Sequence, residues 1–122
     1  MTASPIHRPA NDLLTVEVSD PAPLARVTVV GEIDSSSAPL LREHLDALLE
    51  SPLSELTIDL VGVTFLDSAG LCVLAAVHRR VGSDITLRVL ASSRAVIRPL
   101  QITGLWQLLH AEQVEETAGT AA

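Results

Sequence analysis

Lysine and tyrosine are absent from the 122-residue sequence, and the only aromatic residues are Phe65 and Trp106. A P-loop needs a lysine to bind the nucleotide phosphates, and the pattern G-x-x-x-x-G-K-[ST] does not occur, so a P-loop site is excluded. A receiver domain, another small α/β signalling module, also depends on a lysine and is excluded for the same reason. With so few aromatic residues, the hydrophobic core must consist of Leu, Val, Ile and Ala.

Cysteine and long apolar runs are scarce as well. The single Cys72 cannot form an internal disulfide, which is typical of a reducing cytosol, and we predict a cytoplasmic protein. The first residues, MTASPIHRPAND, lack the apolar region of a signal peptide, and no apolar run reaches the ~18–20 residues that span a bilayer. No metal or other cofactor is predicted, because the four histidines have no ligand spacing: His7, His44, His78 and His110.

The chain is acidic, with a formal net charge of -7 at pH 7. Such a charge repels the phosphate backbone of nucleic acids, and side chains that stack on bases are few. Direct binding to nucleic acid is therefore not expected.

The first half of the chain shows two strand patterns, a helix pattern and a third strand. Leu13–Val18 alternates apolar and polar residues, and Ala25–Ile33 follows after a short turn, which together predict a β-hairpin. Ser37 is the predicted N-cap of a helix that runs to about Glu50. A third strand is predicted over Glu55–Val63, with one buried face made by Leu56, Ile58 and Leu60.

The second half repeats this alternation. A helix is predicted from Ser68 to about Arg80, with Gly82 just beyond its end, and a strand over Ile85–Leu90 follows. A last helix should begin near Ser93. Pro99 lies several residues inside it, so the helix either kinks there or is short and restarts at Pro99.

This order of elements predicts a small single α/β domain. An N-terminal β-hairpin is followed by alternating β-α units, which gives a mostly parallel or mixed sheet with packed helices. We expect a flexible N-terminus over residues 1–12, the folded domain over 13–110 and a flexible acidic tail over 111–122.

The polar residues Asp67-Ser68-Ala69-Gly70 stand between the third strand and an almost wholly apolar helix. In parallel sheets, reaction and ligand sites lie where strands end and helices begin, and a phosphate on Ser68 would lie in the favourable field of a helix N-terminus. Asp and Ser are also common N-cap residues, so the segment either caps the helix or displays the Ser68 hydroxyl. A nucleophile elbow is excluded, because Leu66 stands where G-x-S-x-G needs glycine.

A second polar turn, GEIDSSS at 31–37, has the same strand-turn-helix context. Both turns can therefore lie at one edge of the sheet, where Asp34 and Ser68 would flank a shared surface. The alternative interpretation of this turn is again a helix cap.

Three segments carry a resemblance to a known family: VVGEIDSSSAPLLREHL, LTIDLVGVTFLDSAGLCVLAAVHRR and ITGLWQLL. They resemble the anti-sigma factor antagonists, which consist of a STAS domain, and the resemblance runs from about Leu13 to Leu109. The G-E-[IL]-D turn, the strand aspartate Asp59 and the D-S-x-G-L turn occur in the same order and spacing. The chain departs from the family at Trp106, where aspartate is common.

The resemblance implies a partner-switching protein rather than an enzyme. In the family, the unphosphorylated antagonist binds an anti-sigma factor that is also a serine kinase of the GHKL type, and this frees the sigma factor. The kinase then phosphorylates the serine of D-S-x-G with ATP, and a PP2C-type phosphatase resets the cycle. Carried over by position, the phosphoacceptor is Ser68, and the implied partner-binding residues are Asp34, Ser35, Ser36, Asp67, Ser68, Ala69, Gly70, Leu71 and Leu74.

A second function stays open beside this one. The chain can instead be a STAS-type binding or scaffold module that is never phosphorylated, or one that binds a small anionic ligand at the same helix N-terminus. Because the second helix is apolar almost all round, part of its surface is interpreted as core and part as a partner face. Cys72 is interpreted as a packing residue and Trp106 as partly buried.

Overall fold

The computed structural model describes residues 14–20 and 22–115. The N-terminal segment predicted over 1–12 and the last residues of the predicted tail, 116–122, lie outside the described residues. The described part forms five strands and four helices, in the order β1 Leu14–Ser19, β2 Leu24–Ile33, α1 Ala38–Leu49, β3 Glu55–Leu66, α2 Ser68–Val81, β4 Thr86–Ala91, α3 Arg94–Thr103, α4 Leu105–Leu108 and β5 Ala111–Gln113.

The five strands form one sheet in the order β1-β2-β3-β4-β5. β1 and β2 pair antiparallel, and every later neighbour pairs parallel. The predicted hairpin and the predicted mixed, mostly parallel sheet are therefore confirmed.

β5 lies where the sequence analysis placed the start of a flexible tail, so that boundary is wrong for Ala111–Gln113. These residues pair with β4, from Val89 opposite Ala111 to Ala91 opposite Gln113. The sequence Ala-Glu-Gln has neither strand propensity nor alternation. Its pairing is imposed by tertiary context, since the preceding Leu109 is fully buried and anchors the chain.

The core is aliphatic, as the shortage of aromatic residues predicted. Alternate residues of β2 are buried, and the predicted face of β3 is buried completely at Leu56, Ile58 and Leu60. α1 and α2 pack against each other and against the sheet. Of the two aromatic residues, Trp106 is partly buried against the core, as predicted, and Phe65 is 45% exposed.

β3 is longer than predicted, because it continues past Val63 to Leu66. It pairs with β2 from Glu55 opposite Leu24 to Leu66 opposite Ile33, so its 12 residues run beside the 10 residues of β2. The two extra residues form irregularities, one beside Thr28–Val30 and one beside Gly31–Glu32. Gly31 has φ 121°, a conformation that glycine adopts without strain.

α3 is one continuous helix with Pro99 inside it, so the alternative in which the helix restarts at Pro99 is wrong. The helix begins directly after Ser93, as predicted, with Ser93 at the N-cap position, and Gly104 ends it in the left-handed conformation with φ 82°. Within the described ranges, no helix is both long and apolar enough to cross a membrane.

Candidate functional site

The two polar turns meet at the carboxyl edge of β2 and β3. Asp34 follows β2 and Asp67 follows β3, and the Asp67 N–H donates a hydrogen bond to the Ile33 carbonyl over 3.2 Å. The prediction that both turns lie at one edge of the sheet is thereby confirmed.

Asp67 is the N-cap of α2. Its backbone is extended, and its Oδ1 accepts hydrogen bonds from the N–H groups of Ala69 at 2.9 Å and Gly70 at 3.4 Å. A carboxylate at this position also interacts favourably with the helix dipole. The capping interpretation of this turn is therefore confirmed for Asp67.

Ser68 takes no part in this cap. It is the first residue of α2, it is exposed, and its hydroxyl makes no hydrogen bond with any residue that the structure describes. The turn thus combines the two alternatives that the sequence left open, because one residue caps the helix while the next displays its hydroxyl.

The start of α2 is a poor site for a further anion. Of the N–H groups in the first turn, those of Ala69 and Gly70 already bind the Asp67 carboxylate. A second anion would have to displace that carboxylate or lie beside it, and like charges repel.

The Asp34 turn is also held by a carboxylate. Asp34 Oδ1 accepts from the N–H groups of Ser36 at 2.9 Å and Ser37 at 3.0 Å. Ser37 is the N-cap residue of α1 by position, as predicted, but its side chain forms no cap bond. The Ser37 hydroxyl points back instead, accepting from the Asp34 N–H at 3.0 Å and donating to the Glu32 carbonyl at 2.7 Å.

These hydrogen bonds keep Asp34 ionised. The Ser37 N–H, and to a lesser degree the Ser36 N–H and the Ser37 hydroxyl, lower the pKa of Asp34 below its ordinary value of 3.8, against the opposing effect of desolvation. A fixed negative charge therefore stands beside the Ser68 turn at neutral pH.

A shallow groove of about 300 Å³ runs between the first turns of α1 and α2, next to Ser68. Its walls are mostly apolar, with one hydroxyl and one guanidinium, and they consist of Ser35, Ala38, Pro39, Arg42, Ala69, Cys72 and Val73. We call the exposed part of this region the Ser68 face: Ser35, Ser36, Pro39, Arg42, Ser68 and Cys72.

Two residues predicted to bind a partner do not reach the Ser68 face. Leu74 is 0% exposed, so its assignment as a partner contact is wrong, and it belongs to the core. Gly70 is buried as well, and a methyl group there would overlap Leu66 Cδ1 and lie 2.7 Å from Ile33 Cγ2. Its role is to let α2 approach the strands closely.

The other predicted residues are accessible. Ser35, Ser36 and Ser68 are exposed, and partial exposure is shared by Asp34, Asp67, Ala69 and Leu71. Sequence reasoning missed Pro39 and Arg42 and assigned Cys72 to packing, whereas Cys72 is exposed. The helical spacing indicates that Cys72 is exposed, because Cys72 lies four residues after Ser68 and so shares its face of α2.

In residues 14–20 and 22–115, no cluster of three or more His, Cys, Asp or Glu side chains could hold a metal ion. The described acidic groups of this region instead bind backbone N–H groups, as the turns of Asp34 and Asp67 show.

Comparison with known proteins gives one consistent result. The family model described as STAS domain matches residues 15–121. The anti-sigma-F factor antagonist RsfB of Mycobacterium tuberculosis (strain ATCC 25618 / H37Rv) is 35% identical over 96 residues, which cover 79% of each chain. The anti-sigma-B factor antagonist of Bacillus subtilis (strain 168) is 39% identical over 87 residues, covering 69% of this chain and 77% of that protein.

A solved structure agrees with these sequence relatives. The crystal structure of an anti-sigma factor antagonist from Mycobacterium paratuberculosis superimposes with a TM-score of 0.78 and 34% sequence identity, covering 90% of this chain and 92% of that one. The strand order and the helices described above therefore match a fold that has been determined by experiment.

We expect Gly70→Ala to destabilise the domain. At an unhindered helical position, this change stabilises by about 0.5–1 kcal/mol, because alanine is the better helix former. Here the added methyl group overlaps Leu66, and overpacking costs about 1–3 kcal/mol. Urea unfolding measures the difference, with Ser68→Ala as the exposed neighbouring control. A Gly70→Ala protein more stable than the wild type would contradict the close packing of α2.

We expect the Asp34 carboxylate to stabilise the fold in a pH-dependent way. Because its pKa is lower in the folded than in the unfolded chain, its contribution is present at neutral pH and is lost as the pH falls below 3.8 through the folded-state value. Asp34→Asn keeps an oxygen acceptor but has no charge. Thermal unfolding of both proteins from pH 7 to pH 3 should show a wild-type advantage at pH 7 that shrinks on acidification. A difference independent of pH would refute this role of the charge.

Proposed function

The chain belongs to the STAS domain family, and on this premise we propose that it is an anti-sigma factor antagonist switched by phosphorylation of Ser68. Unphosphorylated, it binds an anti-sigma factor that is also a serine kinase and so releases a sigma factor. The kinase phosphorylates Ser68 and the complex dissociates. The observation that carries this proposal is the exposed Ser68 hydroxyl, which bonds to no described residue and directly follows the Asp67 cap of α2.

The named relatives support the antagonist function. The proteins of Mycobacterium tuberculosis and Bacillus subtilis described above are anti-sigma factor antagonists, and they align with most of this chain. The alignment with the first is long enough to include both polar turns and the helices that follow them.

In the proposed reaction, the chain is a substrate and the chemistry belongs to the kinase. The Ser68 Oγ attacks the γ-phosphorus of ATP, the bond from that phosphorus to the bridging oxygen breaks, and ADP leaves. The hydroxyl proton passes to a base on the kinase, because no described residue of this chain is hydrogen-bonded to Ser68 Oγ. A PP2C-type phosphatase hydrolyses the phosphoserine and restores the hydroxyl.

The geometry supports a phosphate at Ser68 that acts on binding rather than on the fold. Phosphorylation adds a charge of about -1.5 to -2 at neutral pH. The nearest N–H groups of the helix already bind Asp67, so the domain offers this phosphate no ready cradle, and it would project into the Ser68 face. At a docked interface, like charges brought together cost several kcal/mol, and each ~1.4 kcal/mol is tenfold in affinity.

The second function, a binding module for a small anion, is disfavoured by the same observation. An anionic ligand at the start of α2 would compete with the Asp67 carboxylate for the N–H groups of Ala69 and Gly70. The remaining alternative is a STAS module that binds a protein partner through the Ser68 face without ever being phosphorylated. The phosphorylation assay distinguishes this alternative from the proposed switch.

We expect Ser68 to accept one phosphate from ATP. The protein is incubated with ATP and a cognate GHKL-type anti-sigma kinase, and the product is measured by intact-mass spectrometry. The wild type and Ser36→Ala, which removes a neighbouring exposed hydroxyl, should each gain one phosphate, and Ser68→Ala should gain none. No gain in the wild type, or a gain that persists in Ser68→Ala, would refute the switch.

We expect Ser68→Asp to weaken binding to this kinase by about tenfold or more, because it places a fixed anion at the docked face. Its circular dichroism spectrum should match that of the wild type, since Asp67 still caps α2. Calorimetric titration measures the affinity. The charge-matched control is Ser83→Asp, at an exposed residue beyond the other end of α2, and it should bind as the wild type does. Equal weakening in both variants would show an unspecific effect of charge.

A further inference from the structure

A carboxylate stands in the middle of β3, the central strand of the sheet. Asp59 lies on β3 between Ile58 and Leu60, which are both 0% exposed, and its own side chain is only 15% exposed. A half-buried carboxylate is costly unless its oxygens are bonded. The partners of Asp59 therefore indicate what this residue does.

Each oxygen of Asp59 has a different partner. Oδ2 pairs with Nη2 of Arg26 on the neighbouring strand β2, at 2.6 Å. Oδ1 accepts a hydrogen bond from the N–H of Val61, two residues further along its own strand, at 2.9 Å. The first contact ties two strands together, and the second bends the chain locally in the way that aspartate does in turns.

This bend coincides with the first irregularity of the β2–β3 ladder. Thr28 pairs with Asp59, and Val30 pairs with Gly62, so two steps along β2 correspond to three along β3. The extra residue therefore follows Asp59 directly, and the Asp59 carboxylate binds a backbone N–H inside the bulge. The pairing of β3 with β4 also ends at Asp59.

The bulge after Asp59 changes which side chains point inward further along β3. Leu60, which lies in this bulge, and Val63 are both buried although they are three residues apart instead of two, and the second irregularity, beside Gly31–Glu32, gives the same spacing from Val63 to Leu66. A strand without the extra residue would turn every later side chain to the opposite face. Leu66 immediately precedes the turn, and the Asp67 N–H must meet the Ile33 carbonyl of β2. The bulge after Asp59, together with the second irregularity before Phe65, therefore sets both the height and the direction in which Ser68 leaves the sheet.

We propose that Asp59 is a positioning residue for the phosphorylation of Ser68, acting through its hydrogen bond to the Val61 N–H. This role rests on the proposed function. In this role, the Asp59–Val61 contact places the Ser68 hydroxyl where it can attack the nucleotide bound to the kinase. The Asp34 turn follows the other strand, so we expect contacts that the kinase makes there to change less than those at Ser68 when Asp59 is substituted.

Two substitutions separate the charge of Asp59 from its bond to Val61. Asp59→Asn removes the charge and keeps an oxygen where Oδ1 accepts the Val61 N–H. Asp59→Glu keeps the charge, but the extra methylene moves the carboxylate away from that N–H. If the bond positions Ser68, the Glu variant is impaired and the Asn variant is not, and an ion-pair role for Asp59 predicts the reverse.

The measurement is the steady-state rate of Ser68 phosphorylation by the cognate GHKL-type kinase, together with the calorimetric affinity of the unphosphorylated chain. Because misplacement of a reacting atom by about 1 Å can cost a hundredfold in rate, we expect Asp59→Glu to lower kcat by about tenfold or more. Its affinity should change much less than its kcat, and Asp59→Asn should stay close to the wild type in both. Equal kcat in the two variants, or a larger loss in Asp59→Asn, would overturn the proposal.

A stability-matched control excludes a general loss of structure. Val81→Ala removes buried atoms from the last turn of α2, at the end of the helix opposite to Ser68, and destabilises the domain without touching the Asp59–Val61 contact. All variants are assayed at a temperature at which circular dichroism shows them folded, and Asp59→Ala replaces Asp59→Glu should the latter not fold. A kcat loss in Val81→Ala as large as that of the Glu variant would assign the effect to stability and overturn the inference.

An NMR measurement separates this inference from the proposed function. In ¹H–¹⁵N spectra, Asp59→Glu should shift the amide signals of Val61 and of Asp67–Gly70, whereas Asp59→Asn should leave the signals of Asp67–Gly70 in place. This readout needs no kinase. If the wild type is not phosphorylated, the proposed function fails, and the amide shifts alone still decide whether Asp59 positions the turn. Unmoved signals at Asp67–Gly70 in Asp59→Glu would overturn the inference.

Discussion

The parallel pairing of β2 with β3 is the constraint on which the rest of the molecule depends. β3 fits 12 residues beside 10 of β2, yet Leu66 still arrives opposite Ile33, so both strands end at one level. The next hydrogen bond along the chain, from the Asp67 N–H to the Ile33 carbonyl, joins the two turns. α1 and α2 begin from these turns and pack against each other, so their first turns flank one groove. A change in the register between β2 and β3 would move the residues of the Ser68 face apart.

Local patterns were sufficient for the features that depend on neighbours in the sequence. Alternation identified the buried face of β3 through Leu60. The residue types at strand ends identified the polar turns at Asp34 and Asp67 and the start of α3 near Ser93. The bulges depend on how β3 fits against β2, and no local pattern reports that fit. In the sequence, the bulges are visible only as a spacing of three between the apolar residues Leu60, Val63 and Leu66. This spacing can be interpreted only once the strand is known to continue past Val63.

Burial around the second helix was harder to predict for a different reason. α2 is apolar almost all round, so periodicity could not separate the side that packs from the side that is open. The structure buries Val73, Leu74 and Val77 and exposes Cys72. Gly70 also needed the structure, since its small size matters only because Leu66 and Ile33 lie against it. β5 shows the same dependence on context, because three residues without strand propensity pair only where a buried Leu109 holds them beside β4.

Asp67 caps α2 and Ser68 displays a free hydroxyl, and one residue could not do both. A serine that capped α2 would spend its hydroxyl on a backbone N–H, and a phosphate on it would find the helix N–H groups free to bind it. With Asp67 as the cap, those groups are occupied and the Ser68 hydroxyl is left to a partner. The fixed carboxylates of Asp34 and Asp67 also mean that the unphosphorylated surface is already acidic. A partner that bound it only through long-range attraction of opposite charge would bind the phosphorylated form more tightly. On the proposed function, release therefore requires a partner that packs closely over Ser68 itself, where the bulk and the desolvation of a phosphate outweigh any gain in attraction.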